Sequence, residues 1–363
     1  MTSFPKLSDD LMKQRLAPPN GPVRLIIDTD TNNEIDDQFA LAWALLSQDQ
    51  LEIEGILAEP FSFAHLREGL LRAHKLSESS EVHSPDDEAL LAKYSGWVAG
   101  LKEAGTHPKD VPFPGPAEGM ESSYQEILTV YKKLGMNSTG KVFRGSPGYL
   151  TSLENPIKSD ATDYLIECAL KSDERPLYVA AIGCVTNIAS ALLLAPEITN
   201  NIVVLWTSAY PSWSNQPNEP SLNFIQDVVA AKLLFDCGVP HVYLPGYYIG
   251  EQLKISLPDM EAWVRDKGAI GEYLYWLYTH NPIYDQRGIL GHIGRTWVIW
   301  DMINIAWLLN PDWVPTELVR TPKLNDDTTW NRDAADRHWM REAYGINRDA
   351  IFRDFFKKLE QAP

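Results

Sequence analysis

Residues 23–46, VRLIIDTDTNNEIDDQFALAWALL, hold four aspartates and a glutamate within the ten positions from Asp28 to Asp37. Arg24 to Ile27 is a short apolar, partly β-branched run that reads as a strand. From Asp36 onward, Phe39, Leu41, Ala42, Leu45 and Leu46 recur with helical spacing and give an apolar side. Residues 28–35 are then the turn between strand and helix, and in an open α/β sheet such a turn lies at the carboxyl edge, where ligands bind. So many carboxylates on one turn repel each other unless a cation sits among them, which points to a divalent, oxygen-seeking metal. An EF-hand loop counted from Asp28 would need Gly at its sixth position and Glu at its twelfth. The chain has Asn33 and Phe39 there, which excludes that loop.

Composition bounds the rest. The 363 residues are 44% hydrophobic and carry a net charge of −17, enough apolar content for one large α/β domain or two modest ones. The acidic balance argues against nucleic-acid and anionic-membrane partners, which require basic footprints. Residues 1–20 lack a signal-peptide core, and no run reaches membrane-span length, so a cytoplasmic protein is expected. Cys168, Cys184 and Cys237 are odd in number and without paired ligand spacing, hence reduced core thiols.

Along the chain, Leu51 to Ala58 reads as a second strand and Phe63 to Leu76 as a helix. This alternation implies a parallel sheet. Residues 78–123 read as a long surface excursion with one helical piece near 89–103. Helical spacing recurs over 124–134 and 159–171. PLYVAAIGCVTNIASALLLAP (176–196) is a buried strand, a turn and a helix opened by Thr186. Thr186 and Asn187 suit the cap of that helix. Strands are expected over 202–207 and 241–244, with a helix between them over 227–237 and a polar loop, SAYPSWSNQPNEPSL (208–222), before Asn223. In RTWVIWDMINIAWLLNP (295–311), Asp301 opens an apolar helix, where an unpaired carboxylate is costly. Residues 320–363 read as a charged linker and terminal helix.

An apolar strand, D-x-D, a short gap and a D-D pair opening a helix resembles the signature of the nucleoside hydrolases, with two extra residues around Asn33 and Glu34. VFRGSPGYL (142–150), the G-x-[LV]-T-N-[IL]-A-like run at 183–189 and Trp300-Asp301 follow in the family's order, so the resemblance covers residues 23–313. It implies an α/β fold with an open, mostly parallel sheet flanked by helices around a Rossmann-like core. The domain would span 23–319, with an N-terminal extension (1–22) and a C-terminal charged helical extension (320–363) packed on it.

The resemblance also implies hydrolysis of an N-glycosidic bond in a nucleoside or related ribosyl or carbohydrate substrate, with Ca²⁺ held by Asp30, Asp37, Asp301 and the Ile182 carbonyl. Asp30 would be the general base. Asp36, Asn223 and Asn215 would hold sugar hydroxyls, Trp300 would stack on a purine, and Asp28 would orient the ligands from behind. Where the family has an acid two residues before Asn223, this chain has Ser221, with Glu219 as a substitute. No histidine stands in the family's acid position; His280 and His292 are the nearest in sequence. A homodimer or homotetramer is implied.

Two other readings compete. A phosphatase of haloacid-dehalogenase type resembles Asp28-Thr29-Asp30 but wants Thr or Val in place of Asn32 and a later acid pair, for which Asp326-Asp327 lies in a polar stretch. The other is a sugar-binding protein that has kept the metal and lost turnover.

Overall fold

The computed structural model describes residues 3–79, 84–288, 291 and 294–362. Eight strands form one twisted sheet: β1 (Val23–Thr29), β2 (Leu51–Ala58), β3 (Val142–Arg144), β4 (Leu177–Ala181), β5 (Ile202–Ser208), β6 (His241–Pro245), β7 (Thr316–Arg320) and β8 (Trp339–Ala343). Their spatial order is β3-β2-β1-β4-β5-β6-β8-β7, and every pairing is parallel except β8 with β7. β1, β4 and β5 are buried along their whole length, as near-continuous Val, Ile, Leu and Ala runs in a sheet covered on both faces require. The first six strands follow the doubly wound order, whose direction of winding reverses between β1 and β4. The carboxyl ends of β1, β4, β5 and β6 therefore meet at one edge.

Helix α1 (Asp36–Leu45) is buried on every side rather than on one apolar stripe. It is enclosed by the helices Pro116–Lys133, Met302–Leu309 and Arg348–Leu359, and two of its polar side chains donate across to them: Gln38 to Glu126 at 3.1 Å and Trp43 to Asp354 at 2.9 Å. Helices α2 (Thr186–Leu194) and α3 (Met302–Leu309) each start at the same sheet edge.

Two expectations are corrected. Residues 78–123 are largely helical where described, with helices Pro85–Glu103 and Pro116–Lys133. Pro85 and Pro116 each stand in the first turn, where a missing N–H costs nothing, and Ser84 caps the first helix through Asp87 N at 3.2 Å. The richness of the stretch in Pro, Gly and acidic residues suggested a loop. The break expected at 319/320 also disappears. β8 pairs with β6 through Arg341 and Glu342, and Phe352 and Phe355 enter the main core, so the C-terminal residues complete the sheet rather than append to it. The N-terminal segment likewise sends Met12 and Leu16 into that core. Among the described residues no helix is long and apolar enough to cross a membrane. The three cysteines are free and buried.

Candidate active site

The site is built where β1, β4, β5 and α3 come together. Asp36 and Asp37 are the first two residues of α1, and Asp301 stands at the cap position of α3 without making a cap hydrogen bond. Their carboxylates therefore face outward from two helix starts, whose exposed N–H groups favour negative charge. Each of the three offers an oxygen within 4.8 Å of the others, and all three are buried. Burial pushes their pKa values well up, and each is raised further by neighbouring carboxylates: Asp36 by Glu34 and Asp37, Asp37 by Asp30, Asp301 by Asp36.

Asp30 lies beside them, fully buried, and its pKa is raised first by burial and then by the charge of Asp36. Its Oδ2 accepts from Asn33 Nδ2 at 2.8 Å. Nearby, Gln226 Oε1 accepts from Ser62 N at 2.7 Å and the Tyr149 hydroxyl at 2.6 Å, while its amide nitrogen is buried without a hydrogen-bond partner. Asp30 Oδ1 and Asp37 Oδ2 are buried without a hydrogen-bond partner. Unpaired buried carboxylate oxygens next to a three-acid cluster fit a hard divalent cation and little else, since apolar or neutral surroundings would leave their desolvation uncompensated.

Behind this layer, Asp28 Oδ1 accepts from Asn187 Nδ2 at 3.0 Å. Asn187 also donates its backbone N–H to Glu59 at 2.8 Å and accepts from Ser146 N at 2.8 Å. Asn187 thus ties β1, the end of β2 and the 142–150 loop together. The helix cap expected of Thr186 and Asn187 is absent: Val185 occupies that position, and Thr186 donates to Asp227 at 2.7 Å. Burial pushes Asp28 up to about 7, and Glu59, whose pKa is raised well above its ordinary value by burial and by Asp28, faces it. Both carboxyls are fully buried behind the pocket, so Asp28 has no exposed oxygen for a phosphoryl group to reach.

The pocket in front is lined by Glu34, Asp36, Asp37, Ile182, Asn223, Tyr247, Trp300 and Asp301, among others. The Ile182 carbonyl accepts from Asn223 Nδ2 at 3.1 Å. β4 can approach this closely because residue 183 is glycine; a Cβ there would fall 2.9 Å from Asp30 Cγ. Of the residues anticipated from sequence, Asp36, Asp37, Ile182, Asn223, Trp300 and Asp301 line this pocket, while Asp30 is buried beside it, outside the lining, and Asp28 is buried further back. Asn215 does not: it lines a separate depression with Trp213 and Asn331. Ser221 is at the pocket wall, its hydroxyl held by Ala209 N at 2.9 Å and Ser208 at 2.9 Å, and Glu219 is exposed outside the lining. His280 is exposed and stacked on Trp276, in a neighbouring groove. His292 lies outside the described residues.

Sequence reasoning missed Glu59, Gln226, Tyr247 and Glu34 as parts of the site. Glu59 was legible as an acid directly after a buried strand, Leu51–Ala58. Gln226 and Tyr247 had no signal beyond their place near a strand end.

A sequence profile of the family described as inosine-uridine preferring nucleoside hydrolase matches residues 25–350. A probable uridine nucleosidase of Arabidopsis thaliana is 27% identical over 161 residues, 42% of this chain and 49% of that protein. The chain thus spans about half the length of the curated relatives it matches. Among solved structures, a plant nucleoside hydrolase superposes with a TM-score of 0.61 at 16% identity, covering 94% of this chain and all of that one. A purine-preferring ribonucleoside hydrolase from Gardnerella vaginalis gives 0.61 at 17% identity, with 93% and 98% covered. A strand, acid cluster and doubly wound sheet in this arrangement, matched by one profile over nearly the whole chain, place the protein in the nucleoside hydrolase family.

Proposed function

We propose that the protein is a calcium-dependent hydrolase of an N-ribosyl bond, acting on a nucleoside or a related ribosyl or carbohydrate glycoside. The observation that carries this reading is the convergence of Asp36, Asp37 and Asp301, with carboxylate oxygens within 4.8 Å of one another, in a region where Asp37 Oδ2 and Asp30 Oδ1 are buried without a hydrogen-bond partner. Asp30, Asp37, Asp301 and the Ile182 carbonyl would hold the cation. When bound, it supplies positive charge that offsets the acids, acidifies water and grips vicinal hydroxyls.

The residues divide the remaining work. Asp30 accepts the proton of the attacking water at Oδ1, its unpartnered oxygen, while Asn33 holds Oδ2 and fixes its orientation. Asp36 accepts from a ribose hydroxyl. Asn223, whose amide nitrogen is held by two carbonyls, offers its Oδ1 to another. The bond to the leaving group then breaks through an oxocarbenium-like sugar. Trp300 and Tyr247 form an aromatic wall, centroids 5.6 Å apart, against which a purine packs and gains a proton from solvent. Association into a homodimer or homotetramer and a cytoplasmic setting belong to the same proposal. Measuring ribose release from inosine, guanosine, adenosine and uridine, with Ca²⁺ and after chelation, tests it. Purine turnover lost on chelation is expected, and no release from any nucleoside would remove the ribonucleoside reading.

A further inference from the structure

Five aromatic rings run in unbroken contact from the pocket wall to the surface. Trp300 meets Tyr247 edge to face at 5.6 Å, and Tyr247 stacks on Tyr210 at 4.5 Å. Tyr210 meets Tyr248 edge-on at 5.3 Å, and Tyr248 stacks on Trp213 at 5.6 Å. The series ends in the open: Tyr248 is 39% and Trp213 50% exposed. Trp213 also lines a depression of about 530 Å³, together with Asn215, Asn325, Asn331, Arg332 and Asp333.

The series is held in place from below. The Tyr210 carbonyl accepts from the Tyr243 hydroxyl at 2.6 Å and from Trp330 Nε1 at 3.0 Å. The Tyr247 hydroxyl donates to Pro220 O at 2.9 Å. Tyr248 sits at φ +68°, a left-handed conformation that bulky side chains rarely adopt, and it directs its ring onto Trp213 instead of into the core. Ser221, a small side chain whose hydroxyl is tied to Ser208 and Ala209 at the end of β5, lines the pocket together with Tyr247.

Exposed ring faces beside amides and a carboxylate suit one kind of ligand. A neutral sugar ring presents C–H groups to an aromatic face and hydroxyls around its edge, and asparagine amides both donate to and accept from hydroxyls. A polyanion would need a basic footprint, and here Arg332 stands beside Asp333 on a chain of net charge −17.

We propose that this stripe is a saccharide subsite, and that the natural substrate is a glycoside of more than one ring. One ring is held at the acid cluster, and further rings lie on Tyr248 and Trp213 with hydroxyls bonded by Asn215 and Asn331. The proposal rests on the glycosidase reading above and adds no chemical step. Water still adds across the glycosidic bond of the ring at the acid cluster, and the extra rings contribute affinity.

The test uses the full chain with Ca²⁺, titrated by calorimetry and tryptophan fluorescence with xylotriose, cellotriose, maltotriose and arabinotriose and with their monosaccharides. At least one trisaccharide should bind about tenfold or more tightly than its own monosaccharide. Trp213→Ala, and Tyr248→Asn, which tolerates positive φ, should each reduce that gain to below about threefold while leaving ribose release from nucleosides unchanged. The subsite is overturned if no trisaccharide gains over its monosaccharide, or if the gain survives both substitutions. It is equally overturned if Trp213→Ala changes only the oligomeric state seen by light scattering, which would make the stripe an interface between copies. Trisaccharide binding through Trp213 without ribose release from any nucleoside keeps the subsite and removes the ribonucleoside reading. Nucleoside turnover without trisaccharide binding does the reverse.

Discussion

The Asn223 side-chain amide donates to the Ile182 carbonyl at 3.1 Å and to the Thr207 carbonyl at 3.2 Å, so one residue fastens the carboxyl ends of β4 and β5 together. Its nitrogen is committed, and its oxygen is the part left for ligand. Asn223→Ala should lower kcat/KM for the best nucleoside by about 10²-fold, the loss expected when a reacting group is displaced by about 1 Å. Asn223→Asp should cost more than Asn223→Ala, because a carboxylate would face two carbonyl oxygens without a hydrogen to donate. Steady-state kinetics of both variants decide it; an Asp variant better than the Ala variant contradicts this orientation.

Asp301→Asn should separate two effects that usually travel together. In metal-free protein, removing one of three clustered charges relieves repulsion, so the variant's Tm should exceed that of metal-free wild type by a few degrees. The same change should abolish the Tm increase that Ca²⁺ gives wild type. Differential scanning calorimetry with and without Ca²⁺ reads both, and a variant that still gains stability from Ca²⁺ would remove Asp301 from the ligand set.

Asp30→Asn should keep Ca²⁺ binding within about tenfold, since an amide oxygen still coordinates, while turnover falls by about 10²–10⁴-fold for want of a proton acceptor. Calorimetric Ca²⁺ titration alongside single-turnover assays checks the split. Near-normal turnover with metal bound would show that another group is the base.

Burial pushes the Asp28 carboxyl from its ordinary 3.8 up to about 7, and moves Glu59, Asp36, Asp37 and Asp301 in the same direction. A carboxyl that holds its proton more tightly folded than unfolded makes stability fall as pH rises between the two values. Metal-free protein should therefore lose stability between about pH 4 and pH 7, the window set by Asp28. A cation offsets that charge, so the Tm gain from Ca²⁺ should grow across the same window. Melting curves at several pH values test the sign, and a gain that shrinks as pH rises would refute it.

Trp300→Ala should reduce purine turnover by about tenfold or more while leaving ribose inhibition nearly unchanged, because the proposed stack sets the ring against the leaving group and not the sugar. Comparing inosine and uridine in both proteins is the check. Uridine hydrolysed as well as inosine by the wild type would exclude stacking as the source of preference.

Residues 23–46 carried most of what was legible in the chain itself. Strand, acidic turn and helix follow from local periodicity, and β-α alternation dictates a parallel sheet whose carboxyl edge holds the acids. Asp36, Asp37 and Asp301 could be singled out because a carboxylate at the start of an apolar helix is costly wherever the helix packs, and Asp30 because it crowds the same acidic turn after the strand. The sequence by itself thus determined the fold class and the acids around which the pocket forms.

Tertiary structure decided the rest, for reasons no local pattern contains. β8 joins the sheet only because β6 leaves an open edge, which turned an apparent linker into core. Glu59 belongs to the site because β2 lies beside β1 in register, a long-range pairing. Asn215 resembles a sugar ligand in sequence, yet the turn through Ala209 and Tyr210 carries it past the pocket to the aromatic stripe. Tyr247 and Tyr248 are unremarkable as letters; the backbone turn after β6 sets one ring against the pocket and the other against Trp213.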